Sequence, residues 1–190
     1  RARPALLGLA AAVTMTGVIA LAPVAQVSAG GTYNVTTTGD GPDTNPSDGQ
    51  CHVATGACSL RAAIQQANAS GGTSTINLPA GVYALNASNT GEFNGSHSLQ
   101  IGVGNGSFNV TINGAGASNT RIVGNAAAVF NIARFYGPNT TGDTATINNV
   151  TITGGSSSTG GGVSLGDAVS LTMNDVVVDG NSASTAGGGL

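Results

Sequence analysis

Residues 146–165, TINNVTITGGSSSTGGGVSL, and residues 172–190, TMNDVVVDGNSASTAGGGL, are two copies of one unit. Val150 matches Val176, Ile152 matches Val178 and Gly154 matches Gly180, all at an offset of 26. The glycine runs at 160–162 and 187–189 match one residue further on, and a weaker copy, VTINGAGASNTRIVGN, lies at 110–125. Short apolar runs recur between Gly and Asn at 76–78, 81–85, 99–103, 108–112, 120–123, 129–132, 146–152, 163–165, 169–173 and 176–178. A period in the mid-twenties built from short strands is the mark of a solenoid. Each coil pairs with the coils above and below it. Alternation sends Val, Ile, Leu and Ala into a narrow core. Gly and Asn serve the corners, where positive φ is needed. No regular Leu-x-x-Leu-x-Leu pattern is present, which excludes a leucine-rich repeat.

Composition supports that reading. Gly, Asn, Ser and Thr make up 88 of the 190 residues, aromatics are 4% and there is no Trp. The chain has no Lys and one Glu, so a helical bundle or coiled coil is excluded. Five Arg cannot make the basic surface of a nucleic-acid binder. Hydrophobic residues at 40% argue against disorder by charge.

Arg1 and Arg3 precede an apolar run, and the small residues Val27-Ser28-Ala29 close it. That pattern predicts a secretory signal over 1–29, with cleavage after Ala29; the alternative is an uncleaved membrane anchor. The sequence begins without Met and stops inside a repeat at Leu190, so further residues are expected at both ends. Removing 1–29 leaves three Arg against eight acidic residues. In the oxidising compartment such a signal reaches, Cys51 and Cys58 are expected to bridge. A metal role is weak, since His52 is adjacent but no third cysteine exists.

Residues 32–38 read as a strand, because Tyr33, Val35 and Thr37 alternate with polar neighbours. Residues 39–50 read as a loop. The good helix signal follows Ser59, the expected N-cap. Leu60, Ile64 and Ala67 fall on one face while Arg61, Gln65 and Gln66 fall elsewhere. Ser70-Gly71-Gly72 ends the helix. At about a turn and a half, it has to pack on something to persist. Covering the first open strand edge of a stack would give it that role.

Residues 34–69 resemble the CSLREA domain, an N-terminal element of secreted bacterial right-handed parallel β-helix proteins. The string Cys58-Ser59-Leu60-Arg61-Ala62-Ala63-Ile64, followed by Asn68 and preceded by Cys51 and an acidic Gly/Pro loop, carries the likeness. The family usually has Glu where this chain has Ala62, and that Glu would complete a capping box with Ser59. The repeats at 146–190 resemble those of polymorphic outer-membrane proteins and related adhesins. The resemblance implies an all-β, right-handed parallel β-helix of the pectin-lyase-like kind and implies export. It says little about activity, because this scaffold hosts lyases, hydrolases, adhesins and passive stalks.

The expected organisation is therefore a signal peptide at 1–29, a cap with disulfide and short helix at 30–72, and β-helix coils from 73 to 190. Asp40, Asp43, Asn45 and Asp48 could ligate Ca²⁺, although Asx and Pro turns explain the same residues; no other cofactor is expected. Asp175 and Asp179 flank 176–178, about 13 Å apart if the strand runs through them. That is too far for either glycosidase geometry. The remaining acids, Glu92, Asp143 and Asp167, and the bases Arg121 and Arg134 form no visible catalytic constellation. Thr151-Ile152-Thr153 has the pattern of an ice-binding array, but no neighbouring coil repeats it in register. The expected function is a non-enzymatic exported surface protein, adhesin-like or a scaffold. Its expected partners are an extracellular glycan or a host or cell-surface ligand, with membrane contact only through the signal or a C-terminal anchor. The alternative is part of a polysaccharide lyase or glycoside hydrolase whose active site lies in further coils.

Overall fold

The computed structural model describes residues 30–89, 97–104, 106–125, 127–133 and 142–190; the signal expected at 1–29 lies outside them. The described chain is all-β apart from one helix, and every strand pairing in it is parallel.

Strand β1 (Thr32–Asn34) leads through the loop and cap to helix α1 (Leu60–Ser70). Then come β2 (Gly72–Asn77), β3 (Gly81–Ala84), β4 (Leu99–Ile101), β5 (Phe108–Asn113), β6 (Thr120–Val123) and β7 (Phe130–Ile132). The last part holds β8 (Asp143–Asn148), β9 (Thr151–Thr153), β10 (Ser156–Thr159), β11 (Val163–Leu165), β12 (Val169–Asn174), β13 (Val177–Val178) and β14 (Ser182–Ala186). Sheet A has the order β1-β2-β5-β8-β12, sheet B β13-β9-β6-β3, sheet C β11-β7-β4 and sheet D β10-β14. The chain therefore visits A, B and C with β2–β3–β4 and again with β5–β6–β7. It visits A, B, D and C with β8 to β11, then A, B and D with β12 to β14.

The apolar residues fall in columns across these sheets. Tyr33, Ile76, Ile112, Ile147 and Met173 are register partners in sheet A. Tyr83, Ile122, Ile152 and Val178 match in sheet B, and Leu99, Phe130 and Val163 in sheet C. Strand alternation sends each column inward, and Ile76, Ile112, Ile122, Phe130, Ile147 and Ile152 are completely buried. Tyr83 lies in this core and donates to Pro79 O at 2.9 Å; burial raises its phenol pKa above the ordinary value.

The corners follow the expected chemistry at two sites. Asn149 and Asp175 turn between sheets A and B at φ 59° and 52°. Gly160 and Gly187 occupy another repeated corner at φ 57° and 65°. Asn and Gly tolerate that region best. The single run expected over 146–152 is thereby split into β8 and β9.

Several boundaries differ from the sequence reading. The period in the mid-twenties holds only for the last pair: Asn148 and Asn174 are 26 residues apart, whereas Asn77 and Asn113 are 36 apart and Asn113 and Asn148 are 35 apart. Register is kept while the connections vary in length. The one-residue change of offset between the last two copies is a register shift in sheet D, between the pairs Ser157–Ala183 and Thr159–Ala186. Strands β10 and β14 are themselves unexpected, because SSST and SASTA carry no apolar alternation. Strand β1 ends at Asn34, after which Thr36 and Thr37 donate to Cys58 O. Helix α1 has eleven residues, about three turns, twice the length expected.

Candidate functional site

The Cys51–Cys58 disulfide is formed, with Cα atoms 5.1 Å apart. Ser59 is the N-cap: its side chain accepts from Ala62 N at 3.0 Å and donates to Gly41 O. Leu60, Ile64 and Ala67 are buried as expected, but so are Arg61, Gln66 and Asn68. The expectation that Arg61 and Gln66 lie off the packed face is therefore corrected. Residues 39–58 pack around the helix on the side away from the apolar core, as where Gln65 Oε1 accepts from Asp43 N at 2.7 Å.

Arg61 forms a two-pronged pair with Asp40, at 2.8 Å and 2.9 Å. The side chains are only 2% and 4% exposed, so this is a buried ion pair. The same guanidinium donates to Ser98 O at 3.1 Å and His97 O at 2.9 Å. Two turns further along α1, Asn68 Nδ2 donates to Gln100 O at 2.8 Å and Asn68 Oδ1 accepts from Gly102 N at 3.0 Å. Strand β4 is an edge of sheet C. Arg61 and Asn68 thus supply, from side chains, polar partners that a neighbouring strand would otherwise offer. The helix closes this edge with polar groups as well as with its apolar face.

The four residues expected as calcium ligands are each engaged with the protein. Asp40 holds Arg61 and accepts from Asn86 N at 2.8 Å. Asp43 accepts from Asn45 N at 2.8 Å and His52 N at 3.4 Å, and Asp48 accepts from Gln50 N at 2.8 Å. The last two are Asx turns, the competing explanation of the sequence. Among the described residues, no three His, Cys, Asp or Glu side chains are placed to hold a metal ion. Of the expected ligands, Asp40 is turned inward onto the Arg61 guanidinium.

The other acids are dispersed. Asp143 is 1% exposed and accepts from Phe108 N at 3.1 Å. Asp167, Asp175 and Asp179 are exposed. Because Asp175 occupies a left-handed corner, no strand runs through both it and Asp179, and the spacing assumed for that strand does not apply. Glu92 and Arg134 lie outside the described residues.

The outer face of sheet A spans the five strands of the sheet. Thr32, Thr75, Thr111, Thr146 and Thr172 are register partners across its five strands. Two residues on, Asn34, Asn77, Asn113, Asn148 and Asn174 form a second column. The Asn side chains are hydrogen-bonded to one another along the column: Asn77 to Asn34, Asn148 to Asn113 and Asn174 to Asn148 at 2.8 Å, and Asn113 to Asn77 at 3.4 Å. Sequence reading placed Asn at corners and missed these columns. The recurring Thr-x-Asn triplet, five times over, was the available signal.

Beside β11 and β12, an apolar cavity of about 460 Å³ opens between Val163, Leu165, Leu171, Met173 and Leu190. Leu165 and Leu190 are exposed there, and Val177 is exposed on β13.

No family model, curated protein or solved structure matches the chain. A disulfide is at home in an oxidising, extracytoplasmic compartment. Among the described residues no helix is long and apolar enough to cross a membrane, which leaves membrane-crossing strands unaddressed.

Proposed function

We propose that this chain is an exported right-handed parallel β-helix protein of the pectin-lyase-like kind, serving as a non-enzymatic extracellular or cell-surface scaffold, adhesin-like in character. The observation that carries the reading is the repeated visit of the chain to the same parallel sheets in the same order. Parallel connections of this type are right-handed in nearly all proteins. Residues 34–69 are read as a CSLREA-like cap, supported by the way Arg61 and Asn68 of that fingerprint satisfy the edge of β4. Export is supported by the signal pattern at 1–29 and by the disulfide.

The non-catalytic reading is favoured over a polysaccharide lyase or glycoside hydrolase by the placement of the carboxylates. Asp40 and Asp143 are committed to internal partners, and Asp175 and Asp179 sit at exposed corners. Partners in this reading are extracellular glycans or cell-surface ligands, bound along the side of the stack.

Two measurements test the proposal. Expressed in a bacterium with residues 1–29 in place, the protein should be recovered outside the cytoplasm with Cys51 and Cys58 oxidised; retention in the cytoplasm would remove the export claim. Incubation with pectin, alginate and related glycans should release nothing, and the appearance of unsaturated or reducing ends would overturn the scaffold reading.

A further inference from the structure

We propose that the outer face of sheet A is an ice-binding surface, on which the Thr and Asn columns hold water in a lattice-like array. The inference does not depend on export or on surface attachment.

Three features of the face carry it. The first is two-dimensional regularity. Adjacent strands repeat every 4.7–4.9 Å or so, and the Thr and Asn of one strand are separated by about 6.6 Å. Both spacings are close to oxygen–oxygen repeats on a face of hexagonal ice. The register runs through all five strands without the shift seen in sheet D.

Rigidity is the second feature. Thr is stiff about χ1. Each Asn amide is tied to its neighbour in the column, so its remaining N–H and lone pair repeat in fixed directions. A surface already ordered avoids much of the entropy loss that binding imposes. A surface Thr or Asn with no such tie would have to be ordered by the ligand.

The third feature is chemical. Both columns lack charge and aromatic rings, and their members are exposed or half-buried. Protein partners are anchored by Tyr, Trp and Arg, none of which is present in either column. A sugar ring stacks on an aromatic face, which the columns also lack. Alternating methyl, hydroxyl and amide groups suit an array of water molecules. Thr151-Ile152-Thr153 remains without such a role. Its register partners are Arg121-Ile122-Val123 on one side and Val177-Val178 on the other, so sheet B carries no array.

Thermal hysteresis and partition of the purified chain into slowly growing ice test the proposal. The wild-type protein, folded by circular dichroism, should show hysteresis and be enriched in the ice fraction. Thr111→Tyr, a bulky ring in the middle strand of the face, should remove more than half of both signals at an unchanged far-ultraviolet spectrum. If that variant melts early, Thr172→Tyr on the outermost strand should give the same loss. Val82→Lys, on the outer face of sheet B, should leave both signals intact. Wild-type behaviour equal to that of an inert protein of similar size would overturn the proposal. So would full activity in a folded Thr111→Tyr variant. Binding to insoluble cellulose or chitin that Thr111→Tyr abolishes, with no ice activity, would assign the face to a glycan and overturn it too.

Discussion

Two regions of the stack are covered in different ways. At β4, helix α1 covers the edge, and Arg61 and Asn68 satisfy its carbonyls and an amide. At β11 to β14, Leu165 and Leu190 are exposed beside an apolar cavity that Leu171 and Met173 also line, and Val177 is exposed on the outward side of β13. Stacked parallel strands leave both polar backbone and apolar interior at every terminal layer, and a helix deals with both only if it carries both kinds of group. Amphipathic patterning accounts for half of such a cap. The other half is two polar side chains, Arg61, held in place by Asp40, and Asn68.

The comparison makes graded predictions. Arg61→Ala should have the largest effect: it leaves Asp40 buried without its cation and takes the guanidinium from His97 O and Ser98 O, at a cost of about 3–5 kcal/mol. Urea unfolding measures it, and a loss under 1 kcal/mol or so would show that the pair behaves like a surface one. Replacing Cys51 and Cys58 together by Ser should cost about 2.5 kcal/mol through loop entropy, seen as the difference in unfolding with and without reductant. Ser59→Ala removes the helix cap and should cost about 1 kcal/mol, again by urea unfolding. Val177→Lys, on the exposed side of β13, should change stability by no more than about 0.5 kcal/mol. It should nevertheless reduce self-association in sedimentation, because a charged edge resists pairing with another chain. A destabilisation by Val177→Lys as large as that by Arg61→Ala would erase the distinction between the two regions.

Much of the local structure was legible. The alternating apolar residues Phe108, Val110 and Ile112, and Val169, Leu171 and Met173, mark their strands, and Ser59, Leu60 and Ile64 mark the helix. The glycine run at 160–162 marks a corner, since few other residues adopt positive φ cheaply, whereas the corner at Asn149 was read as part of one strand. Cys51 and Cys58 were legible because each was the other's only possible partner. What failed to show was whatever depended on a polar residue's distant partner. Arg61 and Asp40 are 21 residues apart, and Asn68 meets Gly102 across 34. Asp40 therefore read as a turn residue or a possible calcium ligand in an acidic loop, and Arg61 only as lying off the apolar face of a helix. Strands β10 and β14 were missed for a related reason: SSST and SASTA pair through backbone alone, and backbone pairing has no side-chain pattern.

The outer face of sheet A divides the two kinds of information most cleanly. The sequence by itself determined that Thr-x-Asn triplets recur and that the residue between them is aromatic, aliphatic or Met, because alternation and hydrophobicity are local properties. Only the tertiary structure decided that these triplets, separated by 26 to 43 residues, share one register. Register is set by how whole strands bury their inward columns, and a slip of one residue would reverse every side chain. The connections between strands vary in length and carry no record of that choice, so the columns become visible only once the strands are stacked.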